Sequence, residues 1–214
     1  MNMRIYRKKT AYNAEKANKA NNFELLNTGY CINHQTVLIG DSITELFNHT
    51  ELFQKYTEKT GLKVYNRGIS GDTSDRLIER FENSVLNLQP RNAVLLIGIN
   101  DLNAGADISF ITDNIEKMIN FLQEGCSGVN IILQAVYPIN KKINKGMRTN
   151  NKTILLLNTY LKRLAERKNI HFIDFTNSLS DENGNFNSRY TYDGLHPNAY
   201  AYEIISQKLI PLFI

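Results

Sequence analysis

The chain predicts a three-layer α/β/α sandwich with a parallel sheet. Three observations carry that expectation: five short β-rich stretches, helical patterns following them, and apolar runs without polar alternation, as in strands covered on both faces. The stretches span residues 36–39, 63–66, 93–97, 130–136 and 170–175, and Ala93-Val94-Leu95-Leu96-Ile97 is the clearest run. Ile154, Leu157, Leu161 and Leu164 recur at helical spacing behind a cap at Thr149 or Asn150, and Lys162, Arg163, Glu166 and Arg167 supply the wet face. Residues 108–122 repeat the pattern and end at Gly125. A last helix is expected to begin at Pro197, a residue suited to a first helical position, and to run to about residue 209 before Pro211 stops it.

Residues 1–33 precede the first strand and are expected to form an added helix, with Ala11, Ala14, Ala17 and Ala20 on one side, packed on a domain of residues 34–214. A disordered arm is the competing reading, and the sequence does not separate the two. A length of 214 residues suits one well-buried domain and is short for two. The composition, 42% hydrophobic and 21% charged, is that of a globular protein. The net charge of +4 is dispersed, which argues against a nucleic-acid partner. No apolar run reaches the roughly 18–20 residues that cross a bilayer, so no stable membrane insertion is expected. Residues 1–22 are basic and polar without an apolar core, unlike a secretory signal. Cys31 and Cys126 have no metal or redox spacing and read as reduced thiols of a cytoplasmic protein, with a single disulfide as the alternative.

In parallel sheets, ligands bind beyond the carboxyl ends of the strands, so the loops there are the informative ones. After the first stretch comes Gly40-Asp41-Ser42-Ile43-Thr44, which places a serine where a helix starts. Taken alone, Ser42 is better explained as a helix cap. After the second comes Asn66-Arg67-Gly68-Ile69-Ser70-Gly71-Asp72-Thr73, whose two glycines let the backbone approach a ligand or simply make a turn. After the third comes Gly98-Ile99-Asn100-Asp101, whose amide either donates to a developing oxyanion or closes an Asn-Asp turn.

After the fifth, the polar segment 178–192 leads to Asp193-Gly194-Leu195-His196-Pro197. Acid and imidazole three apart meet on a tight turn, so Asp193 holds one ring nitrogen of His196 and leaves the other to accept a proton. A capping Asp before a surface His is the bland alternative, and the five-residue packing makes it the weaker one. His34, His49 and His171 have no acid at comparable spacing and read as solvated or core residues. Residues 137–151 carry Lys141, Lys142, Lys145 and Arg148, which could greet an anion but read better as an exposed basic loop.

Together the four blocks resemble the SGNH (GDSL-type) hydrolase family over about residues 37–197, with Ile43 where the family name has leucine. The wording of residues 66–73 is similar to the branch of platelet-activating-factor acetylhydrolase-like and bacterial acylhydrolase proteins. The resemblance implies a flavodoxin-like sheet of order 2-1-3-4-5. It also implies a serine hydrolase cleaving carboxylic esters (short acyl or acetyl, or lysophospholipid) with no metal and no cofactor. Ser42 is then the nucleophile, His196 the base and Asp193 its partner. The Ser42 and Gly71 N–H groups and the Asn100 amide form the oxyanion hole, and Asp41 and Asp101 brace their loops. An acyltransferase, a carbohydrate O-acetyl esterase on the same machinery, and a non-catalytic ligand-binding module are the alternatives. Oligomeric state, a homodimer included, is open.

Overall fold

The aliphatic runs fold as one all-parallel sheet of order β2-β1-β3-β4-β5, and helices flank it. The computed structural model describes the backbone of residues 2–214 and the side chains from residue 14 onward. In chain order the elements are α1 (Asn2–Gly29), β1 (Thr36–Gly40), α2 (Ser42–Glu45), α3 (His49–Leu52), α4 (Gln54–Thr60), β2 (Val64–Gly68), α5 (Ser74–Glu79) and α6 (Phe81–Ser84). There follow β3 (Asn92–Leu96), α7 (Ile99–Ala104), α8 (Ile108–Gly125), β4 (Asn130–Gln134), α9 (Asn151–Lys168), β5 (His171–Ile173), α10 (Thr176–Leu179) and α11 (Ala199–Leu209).

β1 and β3 are buried along their whole length, as unalternating strands must be. The apolar stripes predicted for α8 and α9 are buried too: Ile111, Ile115, Met118, Ile119 and Leu122 on one, Ile154, Leu157, Leu161 and Leu164 on the other. Each such side chain contributes about 1.5–3 kcal/mol on leaving water. α8 packs between α5 and α9, and α11 packs on α3. Register decides what the sheet can do. Gly40 lies opposite both Gly68 and Leu96, so β1, β2 and β3 end level and their following loops emerge side by side.

Several boundaries differ from expectation for identifiable reasons. β2 runs to Gly68 rather than 66 because the guanidinium of Arg67 is satisfied off the sheet by Asn27, Asn66 O and Cys31. β4 stops at Gln134 rather than 136. The Asn158 side chain on α9 takes both the N–H and the C=O of Val136, at 2.8 and 2.9 Å, and so replaces a strand partner. β5 is only His171–Ile173. Of the two candidate caps for α9, Asn150 is the one used, accepting from Thr153 N–H at 3.1 Å.

The last helix does not begin at Pro197. It starts at Ala199 behind Asn198, whose side chain accepts from Ala201 N–H, while Pro197 pairs with Thr191 in an isolated bridge. A polar side chain that captures a free N–H outcompetes proline's fixed φ here.

Residues 2–29 form one helix, but alanines are not its packing face. Ala14 and Ala17 are exposed, Ala20 is half-buried, and Ala11 lies outside the residues whose side chains are described. The contact is made by Phe23 and Asn27. Phe23 lies under the guanidiniums of Arg67 and Arg80, at 4.9 and 5.9 Å. Asn27 donates to Asn83 O and Ser84 O and accepts from Arg67 at 2.7 Å. Cys31 and Cys126 are not joined, and Cys31 Sγ accepts from Arg67 at 3.2 Å.

Candidate active site

Ser42 is placed by the sharp turn from β1 into α2. Asp41 is the N-cap, and its Oδ1 accepts from Ile43 N–H at 3.0 Å. Gly40 allows the turn: a Cβ there would collide with Leu96 O and Thr44 Oγ1, so no other residue fits. From the far side, Tyr202 on α11 donates to Ile43 O at 2.7 Å and stacks on Phe47.

The Asp193–His196 loop organises itself. Asp193 Oδ1 accepts from Leu195 N–H at 2.9 Å and His196 N–H at 2.8 Å, and Oδ2 meets His196 Nδ1 at 2.6 Å. Gly194, at φ +80°, lets Asn140 N–H donate to its carbonyl at 2.8 Å, and a Cβ would stand 2.6 Å from Asn140 O. Thr191 Oγ1 accepts from Gly194 N–H at 3.0 Å. This turn delivers the imidazole to the serine: His196 Nε2 lies 2.8 Å from Ser42 Oγ across 154 positions of sequence. Partial burial pushes the Asp193 carboxyl up, but the His196 N–H, the His196 ring and the Leu195 N–H together outweigh it and hold it below the usual carboxylate range. Asp193 is thus charged when the ring faces the serine.

The glycine loop lies against α2. Glu45 Oε2 accepts from Ser70 N–H at 2.6 Å and Ser70 Oγ at 2.5 Å, and Lys19 pairs with the same carboxylate. Asn100, on α7, donates to Asp72 O at 3.0 Å and, more loosely, to Asp41 Oδ2 at 3.3 Å. Among the described residues no backbone acceptor pairs with the N–H of Gly71 or Ser42. The five predicted positions, Ser42, Gly71, Asn100, Asp193 and His196, are thereby brought to one edge of the sheet. His34, His49 and His171 lie elsewhere: His34 before β1, His49 turned to Phe47 O, His171 exposed at the start of β5.

Asp101 and Asp41 both brace loops. Asp101 accepts from the N–H and hydroxyl of Ser74, and Asn114 donates to that hydroxyl at 3.0 Å. Asp41 is fully buried. Burial chiefly, with Asp101 and Asp72 adding to it against the Ile43 N–H, raises its pKa to about 7. A carboxyl whose folded pKa lies above its unfolded value near 3.8 contributes stability that is fully present below about pH 4 and is lost as pH rises through about 7. Asp41→Asn, which does not titrate, is expected to remove that dependence. The urea midpoint of the wild type should fall relative to the variant between pH 5 and pH 8, and a constant offset would contradict the assignment.

Sequence reasoning missed the support beneath the glycine loop. Asp72 is held by Arg80 Nε at 2.8 Å and Lys16 Nζ at 3.3 Å, and Arg80 also donates to Gly40 O and Arg67 O. The one available signal was the arginine directly after the second β-rich stretch, at residue 67, which requires acceptors if that end is buried.

The chain matches the model of the GDSL-like Lipase/Acylhydrolase family over residues 38–204. It is 27% identical over 183 residues to an N-acylneuraminate cytidylyltransferase of Streptococcus agalactiae, covering 83% of this chain and 42% of that protein. It spans between 21% and 42% of the length of the first curated relatives it matches, both cytidylyltransferases of that name. It is also 25% identical to an acetylxylan esterase of Geobacillus stearothermophilus, covering 74% of this chain and 75% of that one. A solved chain from Streptococcus pneumonia, described provisionally as a platelet activating factor, superposes with a TM-score of 0.91 at 24% identity, covering 100% of both chains. That likeness concerns the fold, α1 included. No helix among the described residues is long and apolar enough to cross a membrane. With four sequence blocks gathered at one sheet edge and the family model covering most of its length, the chain belongs to the GDSL-like lipase/acylhydrolase family, a family of carboxylic ester hydrolases.

Proposed function

We propose that the chain is a serine hydrolase that cleaves short acyl esters of sugars through an acyl-enzyme. The observation that carries this reading is the unbroken line from Ser42 Oγ through His196 to Asp193, at 2.8 and 2.6 Å. As Ser42 Oγ bonds to the ester carbon, its proton passes to His196 Nε2, and the carbonyl electron pair moves to oxygen. Asp193 stabilises the imidazolium. The oxyanion is met by the N–H groups of Ser42 and Gly71 and by the Asn100 amide. Of the two Asn100 Nδ2 protons, the one held only loosely by Asp41, at 3.3 Å, is the one offered to it. His196 then protonates the departing alcohol oxygen as the ester C–O bond breaks. Water, deprotonated by His196, attacks the acyl-Ser42 ester, the acid leaves, and the proton returns to Ser42. The acetylxylan esterase relative supports a sugar ester as substrate.

A serine-directed organophosphonate probe is expected to label the wild type and not Ser42→Ala. Equal labelling would overturn the nucleophile. Asn100→Ala is expected to lower kcat by roughly 10²–10³-fold with little change in KM, because the oxyanion exists only beyond the ground state. Steady-state kinetics on p-nitrophenyl acetate checks this, and a change confined to KM would count against the role.

A further inference from the structure

Beyond Gly71 and Asn100 opens a hollow of about 660 Å³ whose charged groups the acyl-transfer steps do not use. It runs past Thr73 and Asn103 to Arg76 on α5 and to Gly146 and Arg148 of the segment after β4. Arg148 is delivered there by its own backbone, whose N–H donates to Asn103 Oδ1 at 2.7 Å and ties that segment to α7. The other basic residues of the segment, Lys141, Lys142 and Lys145, are exposed and lie outside the hollow. The basic loop therefore contributes one cation to the site, and α5 contributes a second.

Neither guanidinium forms an ion pair or side-chain hydrogen bond with another of the described residues. One acid, Asp75, also lines the hollow, and its carboxylate accepts from Thr73 Oγ1. Two unpaired forks on one rim favour an oxyacid anion, carboxylate or phosphate, which accepts paired N–H bonds from arginine. The lining also includes no apolar side chain larger than Ala104, so it suits a polar alcohol rather than an acyl tail.

We propose that this hollow receives the alcohol half of the substrate and that this half carries an anionic oxyacid group, a carboxylate or phosphate, bound by Arg148 and Arg76. The proposal rests on the ester-hydrolase reading and narrows its substrates from esters of neutral sugars to esters of anionic, sugar-like alcohols. The unpaired arginines then become specificity determinants for the alcohol half.

The test compares three aryl acetates of one shape: neutral 4-acetoxybenzamide, anionic 4-acetoxybenzoate and 4-acetoxyphenyl phosphate. The wild type is expected to prefer an anionic ester over the amide by roughly tenfold or more in kcat/KM, in keeping with one charge-assisted bond. Whichever anion is preferred identifies the oxyacid. In Arg76→Gln/Arg148→Gln the ratio should fall to about one, Arg148→Lys should retain part of it, and 0.5 M KCl should reduce it in the wild type. Equal turnover of anion and amide by the wild type, or a preference that survives in the double variant, would overturn the proposal. Failure of the wild type to hydrolyse even phenyl acetate would instead remove the ester-hydrolase reading, and this proposal with it.

Discussion

His196→Ala is expected to lower kcat on p-nitrophenyl acetate by roughly 10⁶-fold, the scale on which a serine hydrolase loses rate without its base. Of the four histidines, His196 is the one that reaches Ser42 Oγ, since His34, His49 and His171 lie away from the site. Asp193→Asn should cost less, at most roughly 10⁴-fold. The Asp193 side chain is 49% exposed, against 27% for His196, so water shares in stabilising the imidazolium once the carboxylate is gone. The asparagine still accepts the Leu195 and His196 N–H bonds that shape the loop, which separates loss of charge from loss of the turn. Single-turnover rates with the active sites titrated check both numbers. A His196→Ala loss below about 10²-fold would mean that another group takes the serine proton.

Arg80→Ala is expected to lower the unfolding free energy by about 3–5 kcal/mol, the range for removing one partner of a buried ion pair. Arg80 is 9% exposed, and its side chain joins three pieces of chain: Asp72 of the glycine loop, Gly40 O at the end of β1 and Arg67 O in β2. Without it, Asp72 keeps only Lys16 among the described residues, Arg67 O loses the Arg80 donor, and Gly40 O is left with Ile69 N–H. Arg80→Lys should recover only part of the loss, because one ammonium cannot reach three acceptors that a planar fork spans. Urea denaturation followed by far-UV circular dichroism measures the change, and a loss under about 1 kcal/mol would contradict this account. Activity should fall too, since Asp72 O orients the Asn100 amide.

The Arg80 network also explains what could be read without coordinates. The parallel sheet followed from period and composition: an aliphatic run such as that around Val94 leaves no wet face, and only helices on both sides can cover it. The acid and base of the candidate site were legible because they are neighbours. An i,i+3 pair such as Asp193 and His196 meets on any tight turn, whatever surrounds it. The same holds for Asn150 as a cap, where one side chain serves its own helix. Two expectations failed where a distant partner intervened: Asn158 ended β4 early, and Phe23 with Asn27 took the place of the alanines on α1. A third failed locally, where Asn198 displaced its neighbour Pro197 at the start of α11 by capping Ala201 N–H.

Local chemistry along the chain thus settled that five strands form, though not their ends, where serine, acid and imidazole stand, and that each follows a strand. Folding settled everything that needs two remote groups at one place: the 2.8 Å between Ser42 and His196, the raised pKa of Asp41, the pinning of Asp72 by Arg80 and Lys16, and the company of Arg76 and Arg148. The reason is physical. Turns, caps and periodicity are governed by backbone geometry within a few residues, whereas desolvation and Coulomb forces depend on distances in space that spacing along the chain does not encode.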